Sequence, residues 1–148
     1  MPLKQKIQDN LKAAMKSGDK RKVSVLRMIS ADIKNAEIKK KTPELADDEV
    51  VKLLASSAKK HEDSIVQFQT GGRAELAAVE EQELAIIKSY LPEELSREAL
   101  NKIISETVAR LGASGPAEFG KVMKDLMPKL QGRASGQVIS ELVKAQIK

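Results

Sequence analysis

Four stretches of this chain resemble reactive or ligand-binding motifs. The segment Gly115-Pro-Ala-Glu-Phe-Gly120-Lys121-Val122 matches a phosphate-binding GxxxxGK[ST] loop at every position but the last. That loop cradles phosphates with backbone N–H groups while its final Ser or Thr hydroxyl holds magnesium. Val122 has no hydroxyl, Pro116 removes one N–H donor, and a helical pattern precedes the segment where a strand is needed. A nucleotide loop is therefore rejected. Ser56-Ser57 beside Lys59-Lys60 suggests an amidase nucleophile set. Such chemistry needs strained backbone and an oxyanion pocket. With no glycine-rich loop nearby, these residues read as an exposed polar helix face. His61 is the only imidazole and falls in an apolar seam between Ala58 and Ile65, where a structural role with a nearby partner is expected over catalysis. Glu80, Glu81 and Glu83 form an acidic run, and Glu80 and Glu83 share a helix face on which a hard cation is conceivable. Without further oxygen ligands the run reads as a solvated face, or one answering basic helices elsewhere. No catalytic residue, metal ligand or cofactor is expected.

Two cationic groupings remain. Lys20, Arg27, Lys34 and Lys41 recur every seven residues, which lines them along one helix with a drift of about 20° per heptad. Lys121, Lys124, Lys129 and Arg133 form a second cluster, with Gly120 and Gly132 beside them and a Gly132–Gly136 turn. Glycine turns and helix N-termini seat phosphates well, and a cation row can track a phosphate backbone. A lysine-rich face is equally what a solvated helix carries. The aromatics are Phe68, Tyr90 and Phe119 alone. The two Phe are expected in the core and Tyr90 at a linker, leaving no platform for base stacking. Nucleic-acid recognition would then read the shape and backbone of a structured RNA, not a single strand.

The elements that must position these residues are helices throughout. Leu3, Ile7, Leu11 and Met15 recur every four residues and predict a first amphipathic helix ending at Ser17-Gly18. Asp19 is placed to cap a second, with Val23, Leu26, Ile29, Ile33 and Ala36 on one stripe, broken by Thr42-Pro43. Asp47 is expected to cap a third helix, whose seam is Val51, Leu54, Ala58, His61, Ile65 and Phe68 and whose end is Gly71-Gly72. A fourth is expected from about Arg73 to Tyr90, with Leu76, Val79, Leu84, Ile87 and Leu91 inward. Ser96 caps a fifth, closed by Gly112. Pro116 opens a sixth, ended by Pro128 and Gly132, and Ser135 caps a seventh. The expected fold class is all-α: an N-terminal unit of four helices with long antiparallel members (1–91) and a compact three-helix unit (95–148).

The 148 residues include no Cys and no Trp. That excludes disulfides, thiolate metal sites and a cysteine nucleophile. The longest uncharged run is the nine residues Ser64 to Gly72, well short of the roughly 20 that span a bilayer. With no apolar segment behind the N-terminus, a soluble, cytoplasmic protein that does not enter membranes is expected. The net charge of +5 conceals asymmetry. Residues 1–41 hold twelve basic and four acidic side chains, residues 42–91 five and ten, and residues 92–148 nine and seven. The basic block suits a polyanion, and suits equally an internal match to the acidic helices behind it.

Three pieces of sequence carry a family resemblance: Tyr90-Leu-Pro-Glu-Glu-Leu95, Gly71-Gly72-Arg73, and Gly120-Lys-Val-Met-Lys124 running through Met127-Pro128-Lys129 to Gly132-Arg133-Ala134. Together they resemble the YqeY family over essentially the whole chain. The C-terminal part is also similar to the tail domain of the B subunit of the glutamyl/aspartyl-tRNA amidotransferase, with Ser140-Glu-Leu-Val143 matching that tail's last helix and Arg133 standing where it has Lys. The resemblance implies an all-helical two-part fold and kinship with a domain that engages tRNA for a glutamine-dependent carbon–nitrogen ligase. It does not imply that the chain is such an enzyme by itself. The expectation is a non-catalytic accessory protein binding tRNA or structured RNA, with a tRNA-charging or amidotransferase-related protein as a further partner. A protein–protein adaptor and a stand-alone ligase using glutamine as amide donor are the alternatives.

Overall fold

The computed structural model describes residues 2–130 and 132–147. Among these the chain is all-helical: α1 (Leu3–Ser17), α2 (Lys20–Lys40), α3 (Asp47–Thr70), α4 (Ala74–Lys88), α5 (Arg97–Leu111), α6 (Phe119–Leu130) and α7 (Gly136–Gln146), with a short 3-10 turn at Pro116–Glu118. It divides into two compact units, 1–91 and 92–148.

Local chemistry accounts for most boundaries. Asp19, Ser96 and Ser135 each accept a backbone N–H from three residues on, satisfying one of the unpaired donors of a helix start. Gly18 and Gly112 end α1 and α5 in the left-handed region, at φ 77° and 65°. Three expectations need correction. Asp47 is the first residue of α3 and not its cap, which is Ala46. Its carboxylate instead accepts the Leu3 N–H at 2.9 Å and so satisfies the start of α1. Lys41 lies one residue past α2 in the left-handed region (φ 56°), the one described residue other than glycine to do so. Pro128 does not stop α6, which runs on to Leu130. A proline so near a helix end forfeits one hydrogen bond while the apolar face still buries Leu130.

In the first unit, Ile7 from α1, Val25, Leu26, Ile29 and Ile33 from α2, Val50 and Leu54 from α3 and Ile87 from α4 close one apolar core. Leu45 and Tyr90 enter it from outside the helices. Tyr90 is therefore a core residue rather than a linker one, and Asn10 Nδ2 donates to its hydroxyl at 2.8 Å. Leu76 is exposed and Ala77 takes the buried position on α4. Helices α3 and α4 run antiparallel from the Gly71–Arg73 turn: Gln69 meets Glu81, and farther out Glu62 meets Lys88. The second unit has its own core, built on Leu100, Ile104, Val122, Leu126, Leu130, Ile139 and Val143. Phe119 packs against this core, whereas Phe68 is half-buried.

Glu37 ties three segments of the first unit together. It is only 8% exposed. One carboxylate oxygen accepts from Lys4 Nζ of α1 at 2.7 Å and from the Leu45 N–H at 2.8 Å. The Lys4 hydrogen bond, reinforced by the Leu45 N–H and by the charges of Lys4 and Lys34, outweighs burial and holds its pKa below the ordinary 4.5. A lowered folded-state pKa gives stability that is present above the ordinary value and is lost as pH falls through the folded one. The melting-temperature gap between the wild type and Glu37→Gln should therefore be widest near neutrality and shrink as pH drops below 4.5. A gap independent of pH would show that the charge on Glu37 contributes nothing.

Candidate nucleic-acid interface

Val122, Leu126 and Leu130 form the buried side of α6, and this fixes the direction of the remaining residues. Gly120, Lys121 and Lys124 lie on the opposite, exposed side of its first turns. Neither lysine has an acidic partner among the described residues. A Cβ added to Gly120 would meet nothing within 4 Å. No packing among the described residues requires glycine there, although glycine in a helix costs roughly 0.5–1 kcal/mol relative to alanine. Gly120 and Lys121 belong to a helix that follows a 3-10 turn, so the partial GxxxxGK match forms no phosphate loop.

The other members of this cluster are already engaged. Lys129 Nζ lies 3.1 Å from Asp125 Oδ2, and Arg110 Nη2 contacts the same oxygen at 2.6 Å. The hydrogen bond from Lys129, with the charge of Arg110, holds the Asp125 carboxyl below its usual range. At about 100° per residue, Lys129 also points roughly 140° away from Lys124 around the helix. Arg133 is half-buried and clasps the segment before α5: its Nε donates to the Glu93 carbonyl at 3.3 Å, and its own carbonyl accepts the Leu95 N–H at 2.9 Å. Gly132 turns the chain into that clasp at φ 80°. Gly132→Ala should destabilise the protein by about 1–2 kcal/mol, because the left-handed region penalises a Cβ. Urea denaturation checks this; an unchanged midpoint would mean the turn relaxes freely.

Lys20, Arg27, Lys34 and Lys41 are all exposed. Their surroundings differ. Lys20 and Arg27 border a hollow shared with Met15, Gly18, Val23 and Ser24. Lys34 borders another, with Lys4, Gln8, Ser30, Ile33 and Glu37. Met15 of α1, in the first hollow, is 52% exposed, so apolar surface lies beside Lys20 and Arg27.

Ser56, Ser57, Lys59 and Lys60 are interior to α3 in regular helix. His61, on the same helix, does find the local partner expected of it: its Nδ1 lies 2.9 Å from the Ser57 carbonyl. What the sequence pattern does not reveal is that Glu80 and Glu83 of α4 converge on its other nitrogen. Their side chains are 23% and 17% exposed, so they are not a fully solvated face.

Among the described residues, no helix is long and apolar enough to cross a membrane. A family model described as Yqey-like protein matches residues 4–147. The chain is also similar to curated fungal proteins. One, from Pyrenophora tritici-repentis, is named altered inheritance of mitochondria protein 41, mitochondrial; it is 28% identical over 96% of this chain and 77% of its own length. A protein of the same name from Candida glabrata is 31% identical over 96% of this chain and 82% of its own. An uncharacterised protein of Schizosaccharomyces pombe is 32% identical over 61% of this chain and 72% of its own.

Proposed function

The chain belongs to the YqeY family, and from that premise we propose that it is a non-catalytic accessory protein that binds the backbone of tRNA or another structured RNA. The observation that carries this reading is the first part of α6. Lys121 and Lys124 stand exposed beside Gly120, whose Cβ position opens on free space. A bare helix surface flanked by two cations lets a phosphate chain approach closely. The resemblance of this stretch to the tail of a tRNA-dependent amidotransferase supports the same choice of ligand. The proposal includes a cytoplasmic location; the relatives' own names place those proteins in mitochondria. Lys20 and Arg27 supply a secondary contact. Lys129 and Arg133 serve the fold first, through Asp125 and Glu93.

Filter binding of folded tRNA, with a single-stranded homopolymer as competitor, tests the ligand class. The folded RNA should be retained and the homopolymer should compete poorly, since aromatic stacking surface is lacking. Equal competition would overturn recognition of structured RNA. One observation favours a second reading, an adaptor for another protein: Met15 lies exposed in the hollow flanked by Lys20 and Arg27, which suits an acidic peptide with an apolar anchor.

A further inference from the structure

The three side chains that meet between α3 and α4 form a donor set with a definite polarity. His61 is 8% exposed. Its Nδ1 lies 2.9 Å from the Ser57 carbonyl oxygen. A carbonyl only accepts, so Nδ1 carries the proton, and in the neutral ring Nε2 keeps its lone pair. Nε2 faces two carboxylates: it is 3.5 Å from Glu80 Oε2 and 3.8 Å from Glu83 Oε1. Both separations exceed a hydrogen bond. The three ligand atoms all lie within 4.8 Å of one another. Neither glutamate has a Lys or Arg partner among the described residues. Lys88 of the same hairpin pairs with Glu62. When ionised, two half-buried carboxylates carry more negative charge than one imidazole can balance, which is costly away from water.

We infer that His61, Glu80 and Glu83 are ligands of a divalent transition-metal site, with Zn2+ as the ion of best fit. Ligands about 2.0–2.1 Å from a tetrahedral zinc stand roughly 3.4 Å apart. The 3.5 and 3.8 Å separations need only small side-chain adjustments to reach that geometry. The Nδ1–H bond to a backbone carbonyl is the arrangement that usually fixes the tautomer and orientation of a metal-binding histidine. One imidazole with two carboxylates selects a borderline ion over Ca2+ or Mg2+, which prefer six or more oxygens. Three protein ligands leave a fourth position for water or an incoming group. The ion would bridge α3 to α4 across the hairpin, and its binding would therefore raise the stability of the folded chain. This site is independent of the RNA reading, since none of its residues belongs to either cationic cluster.

The full-length chain, stripped with a chelator and titrated calorimetrically with ZnCl2 alone, tests the site. One ion per chain should bind, with a rise in melting temperature, and Co2+ in its place should give the visible absorption of a four- or five-coordinate ion. Glu80→Gln with Glu83→Gln keeps side-chain volume, and circular dichroism verifies its fold. Its affinity for Zn2+ should fall roughly 100-fold or more, because even residues that merely orient a ligand are worth 10–100-fold. Absence of saturable uptake, unchanged affinity in the folded double variant, or Ca2+ binding as tightly as Zn2+ would each overturn the assignment.

Discussion

Leu126→Ala should destabilise the 92–148 unit by about 2–5 kcal/mol, the cost of emptying a filled core position. Leu126 is fully buried in α6 among Ile104, Val122, Ile139 and Val143. This unit has 57 residues, and domains hold roughly 0.05–0.15 kcal/mol per residue. The substitution therefore removes a large part of what keeps it folded. The first unit has a separate core, so the loss should be local. Native-state hydrogen exchange of the full chain reads this directly. Amides of α5, α6 and α7 should lose protection while those of α1 to α4 keep theirs. Equal loss in both halves would mean that the two cores fold as one cooperative unit.

Reversing two exposed charges should have the largest effect on binding. Lys121→Glu with Lys124→Glu is expected to weaken tRNA binding by roughly 10–100-fold near 0.1 M salt, because two phosphate neutralisations become repulsions. Stability should hardly change, as both side chains point to solvent, where substitutions typically shift stability by less than about 0.5 kcal/mol. Lys129→Ala provides the contrast. Its ammonium is already shared with Asp125, so its removal should weaken binding far less. If Lys129→Ala were as damaging as the double reversal, the interface would lie on the other side of α6.

The helices were legible because their signals are local. Asp19, Ser96 and Ser135 announce helix starts within three residues, and Gly18 and Gly112 announce ends. Asp47 misleads because a carboxylate at a helix start can serve any nearby N–H, and the one it serves belongs to Leu3, 44 residues away. Pro128 misleads for a related reason, since the packing of Leu130 decides where α6 stops. Of the candidate RNA residues, the sequence could group Lys121, Lys124, Lys129 and Arg133 but not sort them. Sorting depends on Asp125 and on the Glu93 carbonyl, which fold geometry brings to two of the four. The His61 cluster was hidden in another way. His61 and Glu83 are equally distant from Gly72, and residues equidistant from the turn of a helical hairpin come level with one another. The signal lay in that mirror register about Gly71-Gly72, not in spacing along either helix.

A backbone-reading RNA surface on α6 binds through charge, and its affinity therefore depends on salt. The measurement is the affinity of folded tRNA for the wild type and for Lys121→Ala with Lys124→Ala, each followed from about 50 to 200 mM salt. The wild type should show a steep linear fall of log affinity with log salt, and the double variant a slope shallower by about two, one for each phosphate contact removed. A wild-type affinity that stays flat with salt, or identical slopes for the two proteins, would contradict it.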